Sequence, residues 1–223
     1  MRGHGMGLCI EMADYAPGCE EEVRAWLDGD HVARMLEAPG MRGAACYEAV
    51  RGEPRFLNLY EAESVHVFYG EPFLSLAAAS RERDREMEAK RTASVRLLCA
   101  QVYPALAPEP PFLPTAEAAG LAPAVQLGRI FVPPENVPDF HAWYAQERAP
   151  DIEKVPGVRR IRRFLPVEGD PLMIVLYEME DESVPGGPAW KEATATPWSG
   201  RVRSYYRQEP GSPGVYRRRG LAR

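Results

Sequence analysis

His31 is the residue of this 223-residue chain best suited to proton transfer. An imidazole titrates near neutral pH and can give or take a proton. Asp28 and Asp30 stand beside it, and either carboxylate could orient the ring. The competing reading makes His31 a core histidine satisfied by a hydrogen bond and the aspartates helix-surface charges. A second cluster, Arg159, Arg160, Arg162 and Arg163, follows Gly157. In a strand, Arg160 and Arg162 point one way and Arg159 and Arg163 the other. One pair could face a cavity and bind a carboxylate, or all four could be solvated edge charges. His66 and His141 could join His31 in a metal site, but no two of these histidines have the helical spacing of a ligand pair. No metal or cofactor is therefore assigned. A Gly-rich phosphate loop, a G-x-S-x-G elbow and an H-E-x-x-H motif are all absent from the sequence. Cys9, Cys19, Cys46 and Cys99 form no Cys-x-x-Cys pair, and three of them lie in apolar runs as small hydrophobes do.

The elements that must position these residues come twice. Gly7 to Ala13 is a short apolar strand. Glu20 to Glu37 reads as a helix, with Val23, Leu27, His31 and Met35 four apart on one face and acids in the first turn. That stripe should face a sheet and carry His31 with it. Pro39-Gly40 stops the helix. Ala44 to Val50 and Phe56 to Ala62 form a hairpin around Arg51-Gly52-Glu53-Pro54. Pro72 to Lys90 is rich in helix formers, and Ser94 to Tyr103 is a last strand. The order strand, helix, strand, strand, helix, strand is the split βαβ, or ferredoxin-like, unit.

Moving the chain along itself by 117 positions sets Trp26 on Trp143 and Pro39-Gly40 on Pro156-Gly157. Gly52 then meets Gly169, and Leu59-Tyr60-Glu61 meets Leu176-Tyr177-Glu178. The period is that of a small domain rather than of a solenoid unit. The expectation is two repeats, 1–103 and 125–223, joined by a Pro-rich linker over 104–124. In the second repeat Gln126 to Val132 is the first strand and Pro138 to Lys154 the first helix. Val158 to Leu165 and Leu172 to Glu178 form its hairpin. A weaker helix, broken by Pro197, runs from Gly187 to Ser204, and Gly214 to Arg218 is the final strand. Trp26, Trp143, Tyr60 and Tyr177 recur in both copies, as framework residues or as the walls of a ligand site. At the His31 position the second copy has Arg148, which cannot act as a base near neutral pH. The copies differ there in chemistry.

The net charge of −5 opposes a nucleic-acid partner. No run of 18 apolar residues exists to span a membrane, and Glu11 and Asp14 break up any signal-peptide core. A cytoplasmic location is the expectation.

The pattern of Trp26, Asp30, His31, Pro39 and Gly40, followed by Leu57, Leu59, Tyr60 and Glu61, resembles the EthD-like members of the dimeric α/β-barrel superfamily. The resemblance covers each half and implies an α+β fold. In it the sheets of two ferredoxin-like repeats pack together within one chain around a central cavity. Relatives include cofactor-free monooxygenases, isomerases, lyases, polyketide cyclases and haem-dependent peroxidases. The implied function is a cofactor-independent enzyme acting on a small apolar or aromatic metabolite between the sheets. The alternative is a non-catalytic binding or assembly module. His31 would be the general acid/base, with Asp28 or Asp30 orienting it. Trp26, Tyr60, Trp143, Arg148, Arg163 and Tyr177 would bind the substrate. The tandem chain itself could form a homodimer.

Overall fold

The computed structural model describes residues 6–79, 81–104, 122–170 and 172–219. Most of the Pro-rich linker therefore lies outside the described residues. The first half runs β1 (Gly7–Tyr15), α1 (Glu20–Trp26), α2 (Val32–Met35), β2 (Met41–Arg51), β3 (Phe56–Ala62), α3 (Glu71–Ala78), α4 (Glu82–Ala89) and β4 (Arg91–Tyr103). The second runs β5 (Ala124–Phe131), α5 (Val137–Trp143), α6 (Ala149–Ile152), β6 (Val158–Glu168), β7 (Met173–Met179), α7 (Pro188–Ala193), α8 (Pro197–Arg203), a two-residue β8 (Arg207–Gln208) and β9 (Gly214–Arg218). The bounds of α1, α2, β2 and β3 coincide with those of α5, α6, β6 and β7 at the same offset of 117.

The strand order is β7-β6-β4-β1-β3-β2-β9-β5, and β5 pairs back onto β7. Eight antiparallel strands thus close into a barrel, with β8 attached to β5. The halves are stitched by hydrogen bonds along two seams, β4 with β6 and β2 with β9. Closure removes the open edges that two separate sheets would present. The barrel implied within one chain is present, its two sheets joined along both seams into a single continuous wall.

An eight-stranded barrel is just wide enough for its own side chains, and the interior is filled accordingly. Leu8, Ile10, Leu57 and Leu59 from the first half meet Leu127, Ile174 and Leu176 from the second, all at most 1% exposed. The expected cavity between the sheets is replaced by this packed core. Two further apolar clusters lie outside the barrel wall, one under the helices of each half.

Each hairpin tip docks on the other half. Gly52 and Gly169 both have positive φ, 96° and 105°. A Cβ on Gly52 would stand 2.5 Å from the Gly211 carbonyl oxygen and 2.6 Å from the Gly214 Cα. A Cβ on Gly169 would meet the Leu97 side chain at 2.4 Å and the Arg96 carbonyl oxygen at 3.1 Å. The repeated glycine is therefore set by backbone conformation and by close approach across both seams.

The helix over Glu20 to Glu37 departs from the straight form its spacing predicts. Leu27–His31 is a π turn, and Gly29 leaves helical geometry at φ −80°, ψ −141°. Tyr144–Arg148 is a π turn at the same place in the second half. A π turn widens the step, so the residue packed below Leu27 is Val32, 2% exposed, and not His31. Likewise Ala149 is fully buried after Tyr144. His31 and Arg148 are both displaced from the sheet-facing stripe. The predicted helix over Pro72 to Lys90 is two helices, α3 and α4. Among the described residues no helix is long and apolar enough to cross a membrane.

Candidate functional site

In the first half the buried carboxylate of Asp84, in the first turn of α4, gathers the candidate residues. Trp26 donates its indole N–H to it at 2.8 Å, and Arg34 donates at 2.6 Å. His31 Nδ1 lies 3.0 Å away, and the backbone N–H of Arg81 completes the set at 2.9 Å. Burial pushes the Asp84 carboxyl up. The bonds from Trp26, Arg34, Arg81 and His31 outweigh it and hold the carboxyl well below the usual range. The His31 ring packs on Trp26, with centroids 4.1 Å apart. The orienting group for His31 is thus Asp84, not Asp28, whose carboxylate pairs with Arg219 across the β2–β9 seam. The Asp30 side chain lies outside the described residues. Tyr60 is buried under the first-half helices, and burial raises its phenol.

The second half keeps the tryptophan and changes its surroundings. The Trp143 indole donates to Ser199, which holds the first-turn place on α8 that Asp84 holds on α4, at 3.2 Å, and also to Glu147 at 3.1 Å. The repeated tryptophan thereby ties the first helix of each half to its last.

Under these helices, against the outer face of β5 and β7, is a cavity of about 230 Å³. Trp143, Tyr144, Arg148, Tyr177 and Trp190 line it. The same space in the first half is closed. Phe68 and Phe73 pack edge to face there, at 5.2 Å. At the offset of 117 they correspond to Pro185 and Trp190, so a proline stands where a phenylalanine fills the first half.

Of the three arginines that line this cavity, Arg51, Arg148 and Arg203, Arg148 is the one not exposed. Its Nε donates to the Tyr177 hydroxyl at 3.2 Å, and its guanidinium lies 5.6–5.7 Å from the ring centres of Trp143, Tyr177 and Trp190. Its Nη1 is buried and makes no hydrogen bond. Among the described residues no carboxylate pairs with it. The Tyr177 hydroxyl also sits 2.6 Å from that of Tyr144, whose phenol burial holds protonated.

Arg163 is brought to the helices but not to the cavity. It lies over the Tyr144 ring at 4.5 Å and contacts His141 Nδ1 at 2.6 Å. Burial, and then the charge of Arg163, depresses the His141 imidazole, which accepts in its neutral form. Arg160 and Arg162 face the barrel interior and do bind carboxylates, but the protein's own. Arg162 Nε donates to Glu178 at 2.7 Å, and the same guanidinium pairs with Glu61. Arg160 donates to Glu178 at 2.6 Å. Glu61 and Glu178 correspond at the offset of 117, so two repeated carboxylates share the arginine of one half.

His31, His66 and His141 are not gathered. No group of three metal-binding side chains occurs among the described residues. Burial raises the Cys9 thiol and pushes those of Cys46 and Cys99 up to about 12, so none is a ready nucleophile. Haem does not fit the second-half cavity. Its lining has no His, Cys or Met to ligate iron, and two of its three tyrosines, Tyr144 and Tyr177, are hydrogen-bonded to each other. About 230 Å³ is also below the roughly 300–1,000 Å³ of sites for drug-sized ligands, which are smaller than haem. Trp190 and Pro185 were missed from the sequence. Extending the repeat alignment beyond Glu180 would have shown the change from Phe68 to Pro185.

No protein-family model matches the chain, and no curated protein matches it in sequence. Solved structures do resemble it. A candidate monooxygenase from Fusobacterium nucleatum aligns over 98% of this chain and 94% of that one, with a TM-score of 0.60 and 8% identity. An anthrone oxidase-like protein aligns over 99% and 94%, at 0.59 and 14%. The chlorite dismutase of Candidatus Nitrospira defluvii, solved with imidazole, aligns over 98% and 92%, at 0.60 and 12%. The chain shares its overall fold with these solved structures. At these identities the likeness carries the fold and no further.

Proposed function

We propose that the chain is an EthD-like dimeric α/β-barrel protein made by tandem duplication of a ferredoxin-like repeat. In this reading it is a cytoplasmic, cofactor-independent enzyme acting on a small, largely apolar metabolite. The metabolite binds under the second-half helices, between them and the barrel wall, rather than inside the barrel. The carrying observation is Arg148, a cation without a carboxylate partner among the described residues, set in an aromatic cavity. A charge kept in such a place at a cost to stability needs a counter-charge, and a ligand supplies one. The coincident bounds of five elements in the two halves, the π turn included, support the duplication. The enzyme-like fold of the solved relatives supports catalysis over a purely structural role.

The test is oxygen uptake and product analysis with a panel of aromatic carboxylates, anthrones and phenols. Wild type is compared with Pro185→Phe, which rebuilds the first-half plug inside the cavity. Turnover that survives Pro185→Phe unchanged would remove the cavity from the account. Binding that is lost in Pro185→Phe, with no turnover of any panel member by wild type, would favour a binding module.

A second reading keeps His31 as the general acid/base, now oriented by Asp84, and the 3.0 Å contact between them favours it. It requires His31→Ala to lose about 10²–10⁴-fold in turnover. A loss of only a few-fold leaves His31 a structural member of the Asp84 cluster.

A further inference from the structure

The second-half cavity is electropositive in a protein whose net charge is −5. Arg51, Arg148 and Arg203 line it, and no Asp or Glu does. Arg51 comes from the first-half hairpin, so the cavity draws its charge from both halves. Its other walls are apolar or aromatic, among them Ile130, Val175 and Trp190. A bare inorganic anion would satisfy the arginines and leave those walls without contact. A neutral hydrocarbon would fill the walls and leave Arg148 uncompensated. A molecule with a flat apolar body and one anionic end satisfies both. Size agrees, since a cavity of about 150 Å³ takes one benzene, and about 230 Å³ leaves room for a ring and a carboxylate.

We propose that the ligand class of this cavity is a small aromatic monocarboxylate, its anionic end held by the Arg148 guanidinium and the Tyr177 hydroxyl. This rests on the reading of the cavity as the ligand site and names what that site selects. The proton accounting gives Tyr177 its part. Arg148 Nε donates to the Tyr177 oxygen. The Tyr144 hydroxyl lies 2.6 Å away, where either oxygen can be the donor, and in the proposed arrangement Tyr144 donates to the same oxygen. Tyr177 then has its own O–H left to give, and a carboxylate oxygen beside Arg148 accepts it. Arg148 and Tyr177 form a charge-assisted pair of donors for one carboxylate, with the aromatic rings around them excluding water.

The experiment is calorimetric titration of the full chain with benzoate and 2-naphthoate, against benzamide as the neutral isostere and inorganic phosphate as the bare anion. Wild type should bind the carboxylates at least tenfold tighter than benzamide or phosphate. Arg148→Gln should weaken carboxylate binding by on the order of tenfold to a hundredfold, as loss of a charged hydrogen bond does. Arg148→Lys keeps the charge and should recover part of that loss, and Tyr177→Phe should cost several-fold. Melting curves of each variant establish that it folds. Equal binding of benzoate and benzamide, abolished by Pro185→Phe, overturns the carboxylate class and leaves the cavity as the site. Carboxylate binding untouched by both Arg148→Gln and Pro185→Phe overturns the class and the site together, as does no binding of any probe. Phosphate binding tighter than benzoate overturns the aromatic part.

Discussion

Arg148 Nε lies 3.2 Å from the hydroxyl of Tyr177, and no carboxylate of the described structure pairs with that guanidinium. The corresponding residues of the first half are His31 and Tyr60. There His31 has Asp84 as its partner. One half has closed its charges among themselves, and the other has left a cation open toward a cavity.

The first prediction concerns the cavity plug. Pro185→Phe should fill the space that Phe68 fills in the first half and abolish binding of any cavity ligand. Its melting temperature should fall little, since it adds apolar contact in an existing void. A crystal structure of the variant, with the new ring in the cavity, checks the mechanism.

Asp84 should be a stability residue first. Asp84→Ala strips acceptors from Trp26, His31 and Arg34 and leaves a buried guanidinium unpaired. Breaking such a pair costs about 3–5 kcal/mol. The Asp84 carboxyl is depressed by folding, so its stabilisation is complete above the unfolded carboxyl value of about 4 and fades as the pH drops further. The gap in melting temperature between wild type and Asp84→Asn should therefore narrow below about pH 4. A gap that widens on acidification would contradict the assignment.

Arg162 pairs with two carboxylates inside the barrel, all three residues being at most 3% exposed, and Arg160 supplies the second charge on Glu178. Arg162→Met leaves Glu61 unpaired in a dry interior beside Glu178, which keeps only Arg160. The expected loss is again about 3–5 kcal/mol by chemical denaturation. The triple change Arg162→Met with Glu61→Gln and Glu178→Gln should recover a large part of it. No recovery in the triple variant would mean that the cluster acts through shape rather than charge.

Gly52→Ala should destabilise by more than about 1 kcal/mol, through positive φ and contact with the Gly211 carbonyl. Gly18→Ala has positive φ but open space, so the difference between the two variants isolates the seam contact.

The fold was largely legible because the pattern came twice. Trp26 with Trp143 and Gly52 with Gly169 mark positions that packing or backbone geometry fixes in both halves. Strand spans such as Phe56–Ala62 follow from apolar runs bounded by turn residues. The barrel came only through the resemblance, and the pairing at its seams was not legible, because it depends on strand edges that carry no local signal. The π turns were hidden for a related reason. A step of four and a step of five both keep apolar residues within one stripe, so Val32 and His31 competed for one position. That ambiguity placed His31 against the sheet, when it turns toward Asp84. The site shifted with it. Of the six residues expected to bind the substrate, Trp143, Arg148 and Tyr177 line one cavity, Arg163 contacts His141 and Tyr60 is buried with its hydroxyl unbonded, while Asp28 pairs with Arg219.

The most direct test of the central claim is a crystal structure of the protein grown with 4-bromobenzoate, using the anomalous signal of bromine. The account expects the bromine under α5 and α7, with the carboxylate within hydrogen-bond distance of Arg148 and Tyr177. A bromine in the barrel interior, beside His31, or nowhere ordered while Arg148 pairs with a protein carboxylate would contradict it.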